Sequence, residues 1–326
     1  MSLGVPLVLS GFGPVGQAFV DSVFEQDPLL QVAAVRGHSA EVFVAPGSAV
    51  PERASWAPVR PIEETLARTN AAVLVQALPS TPGAHARALH EALAALRGGV
   101  DVVTATKSHI LSHWRELERA AEEGGSRIRI SGATGAALPT ADMARVALRG
   151  MGCSAVRACP NGTSTFILDE LSAGIGLEDA VLEAQRRGIA EADPSADLSG
   201  KDAATKVRLI AGLLWNWDVS AIAVETEPIE ASTSASALAA AQQGRRLRAV
   251  ASASLSRPMV VTVQLEAVAP GDPLFSINGP EKVMVFSCPE AGSITVQGGR
   301  SSPTGAALAM LKDVLNLAGL SRPGFH

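Results

Sequence analysis

Between Gly188 and Lys206 the chain reads Gly-Ile-Ala-Glu-Ala-Asp-Pro-Ser-Ala-Asp-Leu-Ser-Gly-Lys-Asp-Ala-Ala-Thr-Lys, with Glu191, Asp193, Asp197 and Asp202 in or beside one loop. Pro194 and Gly200 punctuate that loop. Ala203, Val207, Ile210 and Leu214 then recur at helical spacing, which predicts a helix from Gly200 to about Trp215 with one buried face. Asp202 and Lys206 stand four apart and share a face of it. Turned into a cleft, the acidic loop and the carboxylate–ammonium pair would bind a small cation such as an amino group and move a proton. The same spacing also describes a solvated loop with a surface ion pair worth roughly a few tenths of a kcal/mol.

A second concentration of chemistry lies near the start. Pro6–Leu9 reads as a buried strand, Gly11-Phe12-Gly13-Pro14-Val15-Gly16 follows at once, and an amphipathic helix then runs to about Glu25. Between strand and helix, these glycines suit a dinucleotide. Gly11 makes the turn, Gly13 admits a pyrophosphate to the backbone, and Gly16 lets helix and strand pack closely. Pro14 sits at the helix start, where a missing N–H costs nothing. The next strand, Gln31–Val35, ends at Arg36, where NAD-specific sites place an acidic residue. An Arg there attracts a 2′-phosphate, so NADP is the expected cofactor, with NAD as the alternative. Lys107 follows a third strand, Asp101–Thr104. Ligands of open α/β sheets sit beyond the carboxyl ends of strands. That rule adds Leu78, Pro79 and Thr104 to the cofactor-facing set and aims Lys107 into the crevice.

Strands and helices alternate around these groups. Helices are expected over Pro61–Thr69, Gly83–Arg97 and His109–Glu123, and strands over Ala72–Gln76 and Arg127–Ile130. Such βαβ alternation means a parallel sheet. Ser131–Pro139 leaves the sheet for a helix to about Arg149, and the character changes near Gly150. Asn161-Gly162-Thr163 opens a helix whose free N–H groups suit a carboxylate. Beyond Ala221 the pattern turns to β, with strands expected over Leu247–Ala253, Val260–Glu266, Lys282–Phe286 and Ser293–Gln297. A final helix, Thr304–Leu317, closes the pattern.

The composition narrows the function. A length of 326 residues exceeds what one core usually holds. A net charge of −5, 4% aromatic residues and no Tyr argue against a nucleic-acid partner. No run approaches the roughly 20 apolar residues of a membrane span. The chain opens without a basic stretch or cleavage signal, so the expected location is the cytoplasm. Cys153, Cys159 and Cys288 lack metal-site spacing, and His109 and His113 lack a neighbouring Glu or third ligand, so no metal is expected. The histidines of the Ala/Leu helices read as surface or packing residues.

The Gly188–Lys206 run resembles the signature of the homoserine dehydrogenases, Gly-Tyr-Ala-Glu-x-Asp-Pro-x-x-Asp-x-x-Gly-x-Asp-x-x-x-Lys, matching all but the Tyr, which is Ile189 here. Pro160-Asn-Gly-Thr-Ser-Thr-Phe-Ile-Leu168 is similar to a second block of the family, and Thr104-Ala-Thr-Lys107 to its Thr-Ala-Asn-Lys, with Thr106 for Asn. The family's Glu, associated with a monovalent cation in some members, aligns with Ser131. Where its Gly-x-Gly-Ala-Gly stands, this chain has Gly298-Gly-Arg300-Ser-Ser302, which puts Arg300 near the cofactor.

The resemblance implies an α/β fold. A Rossmann-type, parallel-sheet dinucleotide-binding domain would cover 1–150, rejoined by the C-terminal helix within 303–326. An α+β substrate-binding and dimerisation domain would cover 151–302. It further implies a short form without a regulatory domain and a homodimer. The reaction would interconvert L-homoserine and L-aspartate 4-semialdehyde. Lys107 and Lys206 would serve the substrate hydroxyl, Asp202 would orient Lys206, Glu191 and Asp197 would hold the ammonium, and the backbone of Gly162 and Thr163 the carboxylate. Two alternatives stay open. One is a related dehydrogenase for another small amino-acid-like alcohol, suggested by the departures at Thr106, Ser131, Ile189 and Arg300. The other is a dinucleotide-binding sensor, against which the retained Glu191, Asp202, Lys107 and Lys206 speak.

Overall fold

Alternate residues of the first strand, β1 (Val5–Ser10), go to opposite faces of a sheet and are buried on both. Leu7 and Leu9 join Phe19, Val20 and Val23 of the helix Pro14–Gln26 and Met310, Leu311 and Val314 of the helix Pro303–Leu317. Val8 joins Ile62 and Leu66 of Ile62–Thr69, Leu93 and Leu96 of Pro82–Arg97, and Leu117 of Trp114–Gly124. One strand thus fixes two helical layers. The computed structural model describes residues 4–26, 29–299 and 301–319.

The chain divides into two compact units, Met1–Ala136 with Ser302–His326, and Ala137–Ser301. The first unit holds β1, β2 (Leu30–Arg36), β3 (Ala40–Phe43), β4 (Ala57–Pro58), β5 (Val73–Gln76), β6 (Asp101–Thr104) and β7 (Ile128–Arg129) in the order β4-β3-β2-β1-β5-β6-β7. The pairs from β2 through β7 are parallel, and β3 and β4 add an antiparallel edge. β1 lies between β2 and β5, so the connections diverge at its carboxyl end, the switch point where open α/β sheets bind ligands.

The second unit holds β8 (Ala155–Cys159), β9 (Ala223–Thr226), β10 (Arg246–Ser254), β11 (Arg257–Val268), β12 (Lys282–Cys288) and β13 (Gly292–Gly298), ordered β13-β12-β8-β10-β11-β9. All pairs are antiparallel except β9 with β11. The helices Gly162–Ser172 and Lys201–Trp215 pack on this sheet. No helix among the described residues is long and apolar enough to cross a membrane.

Four local expectations are corrected. The unit boundary lies at Ala136 rather than near Gly150, because the segment after Pro139 packs on the helix Lys201–Trp215. That segment is not one helix. Thr140–Asp142 is followed by a wide turn in which Leu148 N–H donates to Met143 O, five residues back, at 2.9 Å. The helix expected over His109–Glu123 is two, Ser108–Ser112 and Trp114–Gly124, broken at His113 with φ −131°. Ile110, Trp114, Leu117 and Ala121 keep helical spacing across the break, which hides it from periodicity. Finally, the region after Ala221 contains a helix, Thr233–Gln242. Its Ala content favours helix, but it buries only Thr233, Ala237 and Ala240, too weak a stripe to read.

Candidate active site

The first unit presents the glycine turn at the carboxyl end of β1. Gly11 has φ +100°, and a Cβ there would lie 2.4 Å from Ala77 O. A Cβ on Gly16 would lie 2.1 Å from Gly11 O. Both positions therefore require glycine for internal packing. Gly13 does not, because a Cβ there would meet nothing within 4 Å. The open space beside Gly13, with the helix Pro14–Gln26 starting behind it, is the cradle a pyrophosphate needs. Phe12, Gly13, Pro14 and Val15 are all at least partly exposed, as are Leu78 and Pro79 beyond β5.

Two residues of the expected cofactor set are turned away. Arg36 is only 3% exposed. Its Nη1 donates to Glu41 Oε2 at 2.6 Å and Thr65 Oγ1 at 2.5 Å, its Nη2 to Arg60 O at 2.9 Å, and its Nε reaches Glu91 Oε1 at 3.4 Å. A guanidinium so occupied inside the unit cannot meet a ribose phosphate. Thr104 is fully buried, and its Oγ1 accepts from Thr106 N–H at 3.0 Å, shaping the turn after β6. Arg300 lies outside the described residues.

That turn delivers Lys107. Thr106 Oγ1 donates to Leu78 O at 2.8 Å and accepts from Leu78 N–H at 3.0 Å. The hydroxyl thus ties the loop after β6 to the loop after β5. Lys107 N–H donates to Ser80 Oγ at 3.1 Å, and Lys107 is half-buried just ahead of Ser108–Ser112. His109 is fully buried, and neither ring nitrogen has a hydrogen-bond partner among the described residues. Burial, with His85 and His113 adding like charge, lowers its pKa to about 4. Ser131, in place of the family's Glu, donates its Oγ to Asp313 Oδ1 at 2.8 Å, and its N–H reaches Asp313 Oδ2 at 2.9 Å.

In the second unit the acidic stretch meets the helix Gly162–Ser172 through Asn161, which is 5% exposed. Asn161 Nδ2 donates to Asp197 Oδ1 at 2.5 Å and to Asp202 Oδ2 at 2.7 Å. Its Oδ1 caps the helix by accepting from Ser164 N–H at 2.9 Å. The N–H groups of Gly162 and Thr163 are the first-turn donors that remain without an intrahelical acceptor. Gly162 must lack a side chain, since a Cβ would stand 2.5 Å from Pro280 O. Lys206 Nζ donates to Asp202 Oδ2 at 2.5 Å and to Pro160 O at 3.0 Å, which leaves one of its three N–H donors. Burial raises the pKa of Asp197, the Asn161 amide opposes this, Asp202 adds to it, and Lys206 opposes it.

Asp197, Asp202, Lys206, Gly162 and Thr163 are therefore brought together, with Thr163 Oγ1 donating to Ile189 O at 3.1 Å. Glu191 is exposed, with its backbone carbonyl held by Gln185 Nε2 at 3.1 Å. Asp193 caps the short turn at Ser195 and stays at the surface. The residue the sequence reading passed over as a site member is Asn161. The signal was an Asn at a helix start preceded by Pro, but its second role, bridging two carboxylates 36 and 41 residues away, is not written locally. Among the described residues no group of three or more His, Cys, Asp or Glu could hold a metal ion.

The sequence model of the family described as Homoserine dehydrogenase matches residues 139–315, more than half of the chain. The chain belongs to the homoserine dehydrogenase family. Among curated members, the homoserine dehydrogenase of Corynebacterium glutamicum is 32% identical over 233 residues, 69% of this chain and 52% of that protein. The homoserine dehydrogenase of Sulfurisphaera tokodaii is 29% identical over 68% of this chain and 69% of its own length. The NAD(+)-dependent homoserine dehydrogenase of Pseudomonas canavaninivorans is 29% identical over 68% of this chain and 64% of its own length. The matched region thus spans about half to two-thirds of these relatives. In fold, the chain is similar to a hyperthermophilic archaeal homoserine dehydrogenase in complex with NADPH (TM-score 0.80, 21% identity, 98% of this chain and 99% of that one). It is similar also to homoserine dehydrogenase from Thermoplasma acidophilum (TM-score 0.76, 20% identity, 97% and 99%). These likenesses establish the α/β, Rossmann-type fold.

Proposed function

We propose that the chain interconverts L-homoserine and L-aspartate 4-semialdehyde with a nicotinamide dinucleotide, as a step of amino-acid biosynthesis. The observation that carries this reading is the Asn161–Asp202–Lys206 cluster, set at the start of a helix whose Gly162 and Thr163 N–H groups have no intrahelical acceptor. The relatives' names support the same reading, as does the open Gly13 turn, which would hold the dinucleotide.

Held at the Gly11–Gly16 turn, a dinucleotide would supply the hydride acceptor for the alcohol carbon and the hydride donor for the aldehyde. The protein's task is position and proton handling. Gly162 and Thr163 N–H groups receive the substrate carboxylate, and Asp197 with Glu191 receives its ammonium. An ammonium beside Asp197 offsets the burial that disfavours its charged form. Lys206, fixed by Asp202 and Pro160 O, turns its remaining N–H to the substrate oxygen and stabilises it as its proton leaves. Lys107 acts as the second proton-handling group. We further propose a homodimer formed through the six-stranded sheet of the second unit. Light scattering at assay concentration tests that point, and a monomer refutes it.

The function is tested by following reduced nicotinamide with homoserine against a panel of hydroxy amino acids. Homoserine is expected to give the highest kcat/KM. Faster turnover of another member would favour the related-dehydrogenase reading, which the loss of a phenol at Ile189 motivates. Dinucleotide binding without turnover of any member would overturn catalysis.

A further inference from the structure

Three of the four acidic residues between 188 and 206 have their carboxylates engaged. Asp197 and Asp202 both accept from Asn161 Nδ2. Asp193 Oδ1 accepts from Ser195 N–H at 3.0 Å. Glu191 differs. It is exposed, and no hydrogen bond or ion pair among the described residues takes its carboxylate.

The main chain of Glu191, by contrast, is fixed. The helix Leu177–Arg186 ends at Arg187, and the chain reverses through Gly188, with φ +67°. Gly188 N–H donates to Gln185 O at 2.9 Å and Ile189 N–H to Ala184 O at 2.8 Å, which folds the following residues back along the last helical turn. Gln185, half-buried on that turn, meets them there. Its Nε2 donates to Glu191 O and to Ala192 O, each at 3.1 Å. Both acceptors are carbonyls, so only the N–H end of the amide suits them, and both of its donors are used. From the other side Thr163 Oγ1 donates to Ile189 O at 3.1 Å. Thr163 belongs to the helix start assigned to the substrate carboxylate. Arg187 ties the reversing turn to the same helix, its guanidinium carbon 5.1 Å from the Phe166 ring centroid and its Nε 2.6 Å from Glu183 Oε1. Glu191 thus carries a carboxylate without a partner on a backbone held from two elements.

We propose that Gln185 is a positioning residue for the substrate ammonium. By pinning two successive carbonyls it sets the Glu191 carboxylate beside the helix start at Gly162 and Thr163, so that the ammonium and carboxylate of one amino acid are received together. This rests on the assignment of Glu191 to the ammonium. An ion pair near solvent contributes little when its members must first be ordered, and more when one of them is ordered in advance. The ammonium takes no part in hydride transfer. Its binding is shared by ground state and transition state, so the loss of Gln185 acts on KM and not on kcat.

The test is steady-state kinetics of the full chain with homoserine at saturating dinucleotide. Gln185→Met removes the donors at similar size and should raise KM roughly 10-fold, with kcat within about twofold. Gln185→Leu, which packs differently but also lacks a donor, should give the same KM. Glu191→Gln should raise KM roughly 10- to 100-fold. Adding Gln185→Met to Glu191→Gln should change KM by no more than about twofold, because the positioned group is already gone. A residue that only supports the fold would have the same effect in either background. Unchanged KM in Gln185→Met, effects of Gln185→Met and Glu191→Gln that multiply, or a wild-type KM in Glu191→Gln would overturn the proposal. A wild type that does not turn over homoserine would overturn instead the functional reading beneath it.

Discussion

Replacing Asn161 with Leu removes two structural roles while keeping the number and branching of the side chain's heavy atoms. The amide donates to Asp197 and Asp202 and caps the helix Gly162–Ser172. Losing the cap costs about 1 kcal/mol. Losing two hydrogen bonds to charged groups costs about 1.5 kcal/mol or more each in isolation. The two bonds share one amide, and Asp202 keeps Lys206, so simple addition overstates the effect. The expected destabilisation is about 2–4 kcal/mol, read as a shift of the denaturant midpoint at unchanged m-value. Without its bridge Asp202 no longer holds one position, and kcat should fall roughly 10²-fold. Asn161→Asp separates the roles. It keeps the cap acceptor but sets three carboxylates together, so at least one takes a raised folded pKa. The unfolded chain then releases that proton first as pH rises, and the variant should be least stable near neutrality and recover toward about pH 4. An Asn161→Leu variant within about 0.5 kcal/mol of wild type and with kcat unchanged would refute the bridging account.

Lys206→Ala and Lys107→Ala should each lower kcat by about 10²-fold or more, while dinucleotide affinity measured by titration stays constant. Asp202→Ala should match Lys206→Ala, and the double variant should lose little more than either, which a full kinetic cycle checks. Arg36→Gln should destabilise the first unit by less than the roughly 3–5 kcal/mol of a buried charge left wholly unpaired, because Glu41 keeps Arg60 and Glu91 keeps Arg87, and it should leave the ratio of NADP to NAD affinity unchanged. His109 has its pKa lowered to about 4, so the unfolded chain takes up that proton first as pH falls. Stability should therefore drop by up to about 3 kcal/mol between about pH 6.5 and pH 4, and His109→Leu should flatten that slope in denaturant titrations across the range.

Parts of this site were legible because sequence spacing alone sets their geometry. Asp202 and Lys206 are one helical turn apart, and their 2.5 Å contact follows from the helix itself. Gly11 and Gly16 were readable for the same reason, each answering to backbone atoms within a few residues or across the adjoining strand. Arg36 failed because its fate depends on partners elsewhere. Glu91 arrives from a helix 55 residues on, and only the folded sheet shows that it stands beneath the end of β2. A cation at a strand end has the same sequence appearance whether it faces a ligand or a buried carboxylate.

Arg53 is the converse case. Nothing in Pro51-Glu-Arg-Ala-Ser-Trp56 marks it in sequence, since it lies in a turn with no periodicity and no motif. Its contacts with Phe12 and Trp56 arise only when β3 and β4, the short antiparallel edge, carry that turn back over the end of β2 and set Trp56 on Gly37. The same principle explains Asn161, a residue whose cap is local and whose bridge is not. Local spacing marks the Asp202–Lys206 pair, whereas the contacts that bury Arg36 and bridge the carboxylates act across the chain. A substitution at Asn161 should therefore disturb both the helix start and the two carboxylates, although only the first effect is written in the neighbouring sequence.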